Sequence, residues 1–217
     1  MKKSLVVFDL DGTLLNTIDD LGHAANYALE KNGLPTHPIE SYPRMVGNGV
    51  VRLLERTLPP GCDPRVVEES LLSDFKEYYN GHNTVYTTPY PGIIDLLGEL
   101  AEAGVSMAVA SNKYQAATEK IISHYFPKIP WVAVEGQREG IPVKPDPSVV
   151  FCILASAKVS KAETIYVGDS GVDMETARRA CVDSVGVTWG FRSRQELIDY
   201  NAGRIVDAAD EILSLIL

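Results

Sequence analysis

The chain has 217 residues, of which 45% are hydrophobic, and a formal charge of -9 at pH 7. This length allows one large domain or a core with a smaller insertion, and the hydrophobic share is that of an ordinary globular protein. The acidic balance argues against a general nucleic-acid surface, because binding to phosphate backbones requires clustered lysines and arginines.

The first predicted element is a strand. Leu5 to Phe8 form a short apolar run, and Gly12-Thr13 supplies a turn signal shortly after it. This pattern predicts a strand buried on both faces, with Asp9 at its carboxyl end. Asp9 and Asp11 are like charges at the mouth of that strand, and they repel each other unless a cation or a change of protonation relieves them.

The same amino-terminal segment bears on location. Its two lysines precede an apolar run that Asp9 ends before it reaches signal-peptide length, and no stretch of the sequence is apolar for long enough to span a membrane. The 3 cysteines are far apart without a CxxC pair, which is typical of reduced thiols, and Cys152 is predicted to lie in the core. We therefore expect a cytoplasmic protein with no membrane or nucleic-acid partner.

A helical stretch follows, and after it helices and strands alternate. Thr17 can cap the first of three predicted helices, and residues 16–87 hold no convincing strand. From Pro91 onward the alternation predicts a parallel sheet covered by helices on both faces. Because the first strand needs partners in that sheet, we expect an α/β core of residues 1–15 and 88–217 that carries a helical insertion.

Polar side chains follow three of the predicted strands. Asp9 ends the first, Ser111, Asn112 and Lys113 end "MAVASNK", and Asp169 ends "TIYVGD". Lys144 lies in the loop "GIPVKPDP" just before a helix. Because ligands bind outside the carboxyl ends of parallel strands, we expect these groups to converge.

These motifs resemble those of the haloacid dehalogenase superfamily, which carries DxDx[TV], a Ser or Thr after the second strand, a Lys, and an acidic GDxxxD. They stand here, in that order, at Asp9–Thr13, Ser111, Lys144 and Gly168–Asp173. "MVGNGVVRLLERTL" and "GVTWGFRSRQEL" are similar to the phosphoglycolate phosphatase group within that superfamily. The resemblance implies a Rossmann-like core, with residues 16–87 as its inserted all-helical cap domain.

The acidic residues suit phosphoryl chemistry. A carboxylate can attack phosphorus and divide one hard displacement into two easier ones, so Asp9 is interpreted as the nucleophile. Asp11 is interpreted as the acid for the leaving oxygen and then as the base for water. Asp9 and Asp169 offer ligands that suit Mg²⁺, and the resemblance adds the backbone carbonyl of Asp11. Asp173 is predicted to orient its neighbours, although a helix N-terminal charge is the alternative.

Other residues are predicted to contact the substrate in the core. Ser111 and Asn112 can bind phosphoryl oxygens, or they can simply cap a helix. Lys144 is assigned to the catalytic group because the other motifs converge on it, whereas Lys113 is interpreted as a solvated surface charge. The resemblance places Thr13, the last residue of the first motif, among the substrate-binding residues.

The insertion supplies a second set of candidates. Gly47 opens a "GNG" segment before a helix, where backbone amides and Arg52 or Arg44 could meet an anion. A flexible helix start with exposed arginines is an equally consistent interpretation.

The leading interpretation is a Mg²⁺-dependent phosphatase of a small phosphomonoester, such as 2-phosphoglycolate, that forms an aspartyl phosphate. A phosphomutase of the β-phosphoglucomutase type and a pyrophosphatase are the enzymatic alternatives. A dehalogenase is disfavoured because halide leaves without a proton. A receiver-type phosphoacceptor module has similar acidic residues but lacks a helical insertion after the acidic strand. The identity of the phosphorylated metabolite and the oligomeric state are left open.

Overall fold

The computed structural model of the protein describes residues 3–217, and a parallel sheet is its frame. The strands in chain order are β1 (Leu5–Phe8), β2 (Leu15–Asn16), β3 (Thr88–Pro89), β4 (Ser106–Tyr114), β5 (Trp131–Gln137), β6 (Thr164–Gly168), β7 (Asp183–Val187) and β8 (Arg204–Val206). Six of them form the sheet in the order β5-β4-β1-β6-β7-β8. The central strand β1 pairs in parallel with both β4 and β6, so the carboxyl ends of all three strands lie at one edge.

Helices cover this sheet on both faces. The helices in chain order are α1 (Ile18–Lys31), α2 (Val50–Thr57), α3 (Leu72–His82), α4 (Ile93–Glu102), α5 (Gln115–Tyr125), α6 (Ser148–Ala157), α7 (Gly171–Ala180), α8 (Arg194–Asp199) and α9 (Ala209–Ile216). Leu5 and Val7 of β1 pack in the hydrophobic cluster that includes α6 and α7. Val6 and Phe8 pack in the cluster that includes α4, α5 and α9. The predicted α/β class is thus confirmed, and burial on both faces explains why β1 is wholly apolar.

Helices α1 to α3 lie between β2 and β3, which pair with each other in antiparallel orientation. We keep the proposed name cap for residues 16–87. The cap also contains a 3₁₀ turn at Ile39–Arg44 and a π-helical turn at Val67–Leu71 that leads into α3. Across residues 3–217, every helix falls short of the length or apolar character that a bilayer span requires.

Two local predictions differ from the structure. Thr17 occupies the N-cap position of α1, but its hydroxyl makes no capping bond and instead donates to Asp11 Oδ1 at 2.6 Å. Cys152 was expected in the core, whereas it is exposed on α6, because Val149, Val150 and Ile153 supply the buried face of that helix. The short apolar run around Cys152 therefore indicates a helix with one buried face.

A buried carboxylate ties the two connections between cap and core. Asp20, in the first turn of α1, is only 2% exposed. It accepts hydrogen bonds from the backbone N–H of Tyr86 at 3.0 Å, from that of Thr87 at 2.9 Å, and from the Thr87 hydroxyl at 2.7 Å. The carbonyl of Thr87 in turn accepts from the Tyr125 hydroxyl at 2.7 Å. The start of the cap and its end are therefore held at one point.

Replacing this carboxylate should destabilise the protein. In Asp20→Ala, two backbone N–H groups and one hydroxyl lose a charged acceptor, so we expect a loss of about 3 kcal/mol in the free energy of unfolding. Asp19→Ala is the matched control, since this neighbour supplies only a helix N-terminal charge, worth up to about 1 kcal/mol. Urea unfolding measures both, and equal losses in the two variants would contradict the role of Asp20.

Candidate active site

The polar groups that follow β1, β4 and β6 meet in one cavity between the sheet edge and the cap. Its core side carries the predicted residues Asp9, Asp11, Ser111, Asn112, Lys144 and Asp169. Its cap side is largely apolar and is formed by Leu21, Val46, Gly47, Gly49, Val50, Leu53, Phe75 and Tyr79. The structure thus brings together residues that are more than 150 positions apart in the chain.

Lys144 is the centre of the core side. It is 3% exposed, and its ammonium lies 2.7 Å from Asp9 Oδ1 and 2.8 Å from Asp173 Oδ1. It also donates to the carbonyl of Ala110 at 2.9 Å and to the Tyr166 hydroxyl at 3.1 Å. An ammonium has three hydrogens, so these partners use its whole capacity. Lys144 therefore fixes Asp9 and Asp173 relative to β4 and β6.

The carboxylates around Lys144 carry more negative charge than it balances. Burial, and then the neighbouring Asp173, raise the pKa of Asp9 to about 7, although Lys144 acts in the opposite direction. Burial, Asp173 and Asp9 likewise hold the pKa of Asp169 well above its usual value. Burial alone would lower the pKa of the Lys144 ammonium, but Asp173 and Asp9 outweigh it, so the lysine stays charged. The cluster therefore favours an added proton or cation.

The donor set fits a hard divalent cation. Asp9, Asp169 and Asp173 each offer a carboxylate oxygen, and these oxygens lie within 4.8 Å of one another. Oxygen donors of this kind suit Mg²⁺. Both oxygens of Asp173 already have partners, because Oδ1 pairs with Lys144 and Oδ2 accepts from the N–H and hydroxyl of Ser170 at 3.1 and 2.6 Å. Asp173 is therefore better suited to orient the site than to bind the ion directly.

Asp11 has a separate set of contacts. Its Oδ1 accepts from the Thr17 hydroxyl at 2.6 Å and lies 3.0 Å from the Lys113 ammonium. Lys113 is only 7% exposed, so its interpretation as a solvated surface charge is wrong. The reason is that β4 continues to Tyr114, which places Lys113 on a strand under the cap rather than in a loop. Lys113 also donates to the hydroxyl of Tyr79, a fully buried cap residue, at 2.8 Å.

The loop after β7 was not anticipated as part of the site. The N–H of Phe191 donates to Asp169 Oδ2 at 2.7 Å, and the indole N–H of Trp189 donates to the carbonyl of Thr13 at 3.0 Å. A Cβ at Gly190 would overlap Asp169, so the loop can approach only through a glycine. Arg192 donates to the carbonyls of Pro43 and Val46 in the cap. The sequence signal for this loop is the segment "TWGFR", in which a glycine lies between two aromatic residues and an arginine follows.

The phosphate-binding candidates have different surroundings. Ser111 is 5% exposed, lines the cavity, and accepts from the N–H of Lys113 at 3.1 Å. The side chain of Asn112 accepts from the Lys144 N–H at 2.8 Å and donates to the Lys144 carbonyl at 3.1 Å, so it braces the backbone of that lysine. It also donates to the carbonyl of Gly47 at 3.2 Å. Thr13 is fully buried and lies outside the cavity lining.

The cap arginines are not brought to the cavity. Arg52 is exposed and pairs with Glu55, one turn along the outer face of α2, at 2.6 Å. Arg44 is exposed as well, and neither arginine is among the residues that line the cavity. Gly47 does line it. Of the cap residues predicted to meet the substrate, the structure therefore places the glycine at the cavity and the arginines outside it.

Comparisons with known proteins agree on one family. A family model described as haloacid dehalogenase-like hydrolase matches residues 6–187. A phosphoglycolate phosphatase of Pseudomonas putida is 34% identical over 214 residues, which cover 94% of this chain and 73% of that protein. A phosphoglycolate phosphatase of Vibrio parahaemolyticus is 30% identical over 220 residues, with coverage of 98% and 95%. The crystal structure of a Lactobacillus delbrueckii subsp. bulgaricus protein, provisionally described as a phosphoglycolate phosphatase, superposes with a TM-score of 0.91 and 34% identity over 100% of this chain and 99% of that one.

The raised pKa of Asp9 predicts how stability changes with pH when no divalent cation is present. The pKa of Asp9 is about 7 in the folded state, against an ordinary value of 3.8. Between these two pH values the folded protein keeps the proton on Asp9, whereas the unfolded chain has released it. Wild type should therefore lose stability relative to Asp9→Asn as pH rises from about 4 to about 7, by an amount on the order of a few kcal/mol. Thermal or urea unfolding of both proteins in EDTA measures the difference, and a difference that stays constant over this range would contradict the prediction.

Proposed function

The chain belongs to the haloacid dehalogenase-like hydrolase family, and we propose that it is a phosphatase that hydrolyses a small phosphomonoester such as 2-phosphoglycolate. The observation that carries the proposal is the arrangement of two carboxylates at the end of β1. Asp9 is held by Lys144, and Asp11 is held separately by Thr17 and Lys113. This arrangement supports attack by one carboxylate and proton transfer by the other. The names of the relatives support this choice of reaction and of substrate.

Asp9 acts as the nucleophile in this proposal. Lys144 binds its Oδ1, which fixes the carboxylate and leaves Oδ2 to attack phosphorus. A bond forms between Oδ2 and phosphorus while the bond from phosphorus to the ester oxygen breaks, which gives an aspartyl phosphate. Water then attacks the same phosphorus, and phosphate leaves from Asp9. Ser111 lies on the cavity wall beside Asp9, where its hydroxyl can bind a phosphoryl oxygen.

Asp11 moves the protons. It gives a proton to the ester oxygen as that oxygen leaves, and it takes one back from the attacking water in the second step. The Thr17 hydroxyl and the Lys113 ammonium both contact its Oδ1, which leaves Oδ2 for this exchange. Two separately held carboxylates can thus perform two different tasks.

Magnesium completes the site. Asp9, Asp169 and, by the family resemblance, the backbone carbonyl of Asp11 would hold it, and it would supply the positive charge that the cluster lacks. The N–H of Phe191 holds Asp169 in place for this role. Asp173 pairs with the Lys144 ammonium and takes part in the capping box of α7, so it fixes the position of Lys144 relative to the start of that helix.

The nucleophile and the metal requirement can be tested together. We expect Asp9→Asn to fold and to lose at least about 10³-fold in kcat, because an amide cannot form the aspartyl phosphate. EDTA should silence the wild type, and added Mg²⁺ should restore it. Steady-state assays with 2-phosphoglycolate, together with circular dichroism of the variant, measure this. Full turnover in either arm would rule out the assignment.

The role of Asp11 predicts a dependence on the leaving group. Asp11→Asn should lower kcat/KM for an alkyl phosphate by about 10²-fold to 10⁴-fold, because an alkoxide needs a proton to leave. The loss for p-nitrophenyl phosphate should be below about tenfold, since its phenolate leaves readily without one. Asp19→Asn, outside the cavity, is the matched control. Equal losses on both substrates would mean that Asp11 serves the fold or the metal instead.

A further inference from the structure

The organic part of the substrate has few charged partners in the cavity. The cap wall is formed largely by apolar side chains, among them Val50, Leu53 and Phe75. An anionic group on the substrate would lose its hydration there without a compensating contact. The core motifs serve phosphoryl transfer, so the group that recognises the rest of the substrate has to be found among the remaining polar residues.

Three cations line the cavity: Lys113, Lys144 and Arg192. Lys144 has four acceptors, two of which are carboxylates. Arg192 donates from each terminal nitrogen to a cap carbonyl and its Nε lies 3.6 Å from Glu196, so its guanidinium faces the cap and α8. Within residues 3–217, the Lys113 ammonium has only Asp11 Oδ1, at 3.0 Å, and the Tyr79 hydroxyl, at 2.8 Å. An ammonium carries three hydrogens, so Lys113 has one donor left for a ligand.

We propose that Lys113 is the specificity-determining residue of the site and that it binds a carboxylate on the carbon next to the leaving oxygen. The inference rests on the proposed function and assigns the residue that recognises the carboxylate of a 2-phosphocarboxylate. The Lys113 ammonium can pair with a substrate carboxylate, whereas the apolar side chains of the cap wall cannot. It also lies 3.0 Å from Asp11, the residue assigned to the leaving oxygen.

The spacing suits this class. In a 2-phosphocarboxylate, one carbon separates the leaving oxygen from the carboxylate carbon, so ordinary bond lengths put the nearest carboxylate oxygen about 3 Å from the leaving oxygen. Asp11 reaches the leaving oxygen through one hydrogen bond, and Lys113 lies 3.0 Å from Asp11. A single ammonium can therefore contact Asp11, at the observed 3.0 Å, and the substrate carboxylate, at about 2.8 Å.

Lys113 is also held in place before a ligand arrives. It is 7% exposed, and its ammonium lies 4.7 Å from the centre of the Tyr79 ring as well as on the Tyr79 hydroxyl. A charged donor that is already positioned loses little side-chain freedom on binding. An alkyl phosphate of the same size without a carboxylate would leave that donor without a partner, which is how a polar site rejects an analogue.

The test compares 2-phosphoglycolate with ethyl phosphate, which has a similar size and the same phosphate group but no carboxylate. In Lys113→Met, the ratio of kcat/KM for 2-phosphoglycolate to that for ethyl phosphate should fall at least tenfold, because a charge-assisted hydrogen bond is lost. Lys113→Arg should restore part of the ratio. If Lys113→Met does not fold, Lys113→Gln gives the same comparison. An equal fall on both substrates would overturn the proposal, since Lys113 would then act only through Asp11.

A matched control separates this effect from the loss of a buried lysine in general. Lys3 is also buried, and it pairs with Asp183 at 2.5 Å outside the cavity lining. Lys3→Met should lower stability and leave the substrate ratio unchanged. A shift of the ratio in Lys3→Met as large as that in Lys113→Met would also count against the proposal.

Binding without turnover distinguishes this proposal from the proposed function. On an Asp9→Asn background, calorimetry should show at least tenfold weaker binding of 2-phosphoglycolate when Lys113→Met is added, with little change for inorganic phosphate. If the wild type hydrolyses no phosphomonoester, the proposed function fails. The difference in binding between 2-phosphoglycolate and inorganic phosphate would still support the role of Lys113. Equal weakening of both ligands, or of neither, would overturn the role of Lys113.

Discussion

The ion pairs that Lys144 makes with Asp9 and Asp173 are the interaction on which the site depends. They join three distant segments of chain: the end of β1, the start of α7 and the loop before α6. Both carboxylates are buried, and a buried carboxylate without a partner is strongly unfavourable. Lys144 therefore holds the carboxyl edge of the sheet together, and the same contact fixes the orientation of the Asp9 carboxylate.

The charge in this cluster also explains why the site suits phosphate chemistry. Asp9, Asp169 and Asp173 outnumber the single ammonium among them, and burial together with the repulsion between these carboxylates raises the pKa values of Asp9 and Asp169. A doubly negative phosphate could not approach such a cluster without added positive charge. Binding of a divalent cation and binding of the substrate therefore favour each other. Asp11 stands apart from the cluster with its own cation, Lys113, so the two carboxylates that follow β1 have separate partners.

The convergence of the residues at the ends of β1, β4 and β6 with Lys144 could be predicted from the sequence, whereas the contacts between the cap and the core could not. Asp9 was placed correctly at the end of a buried strand because a parallel sheet brings strand ends to one edge. Lys113 was misjudged because its partner Tyr79 lies 34 residues away, on a different element. Asp20 meets Thr87 across 67 residues, and Arg192 meets Pro43 across 149. None of these pairs leaves a periodicity or a spacing that a sequence pattern could reveal.

These long-range pairs share one property, which is that they join the cap to groups that hold the reacting residues. Tyr79 contacts Lys113, which contacts Asp11. The carbonyl of Gly47 accepts from Asn112, which braces the backbone of Lys144. Arg192 holds two cap carbonyls, and its neighbour Phe191 holds Asp169. Each of these connections runs between a cap residue and a residue that lines the core side of the cavity, so a cap that moved away from the core would break all three.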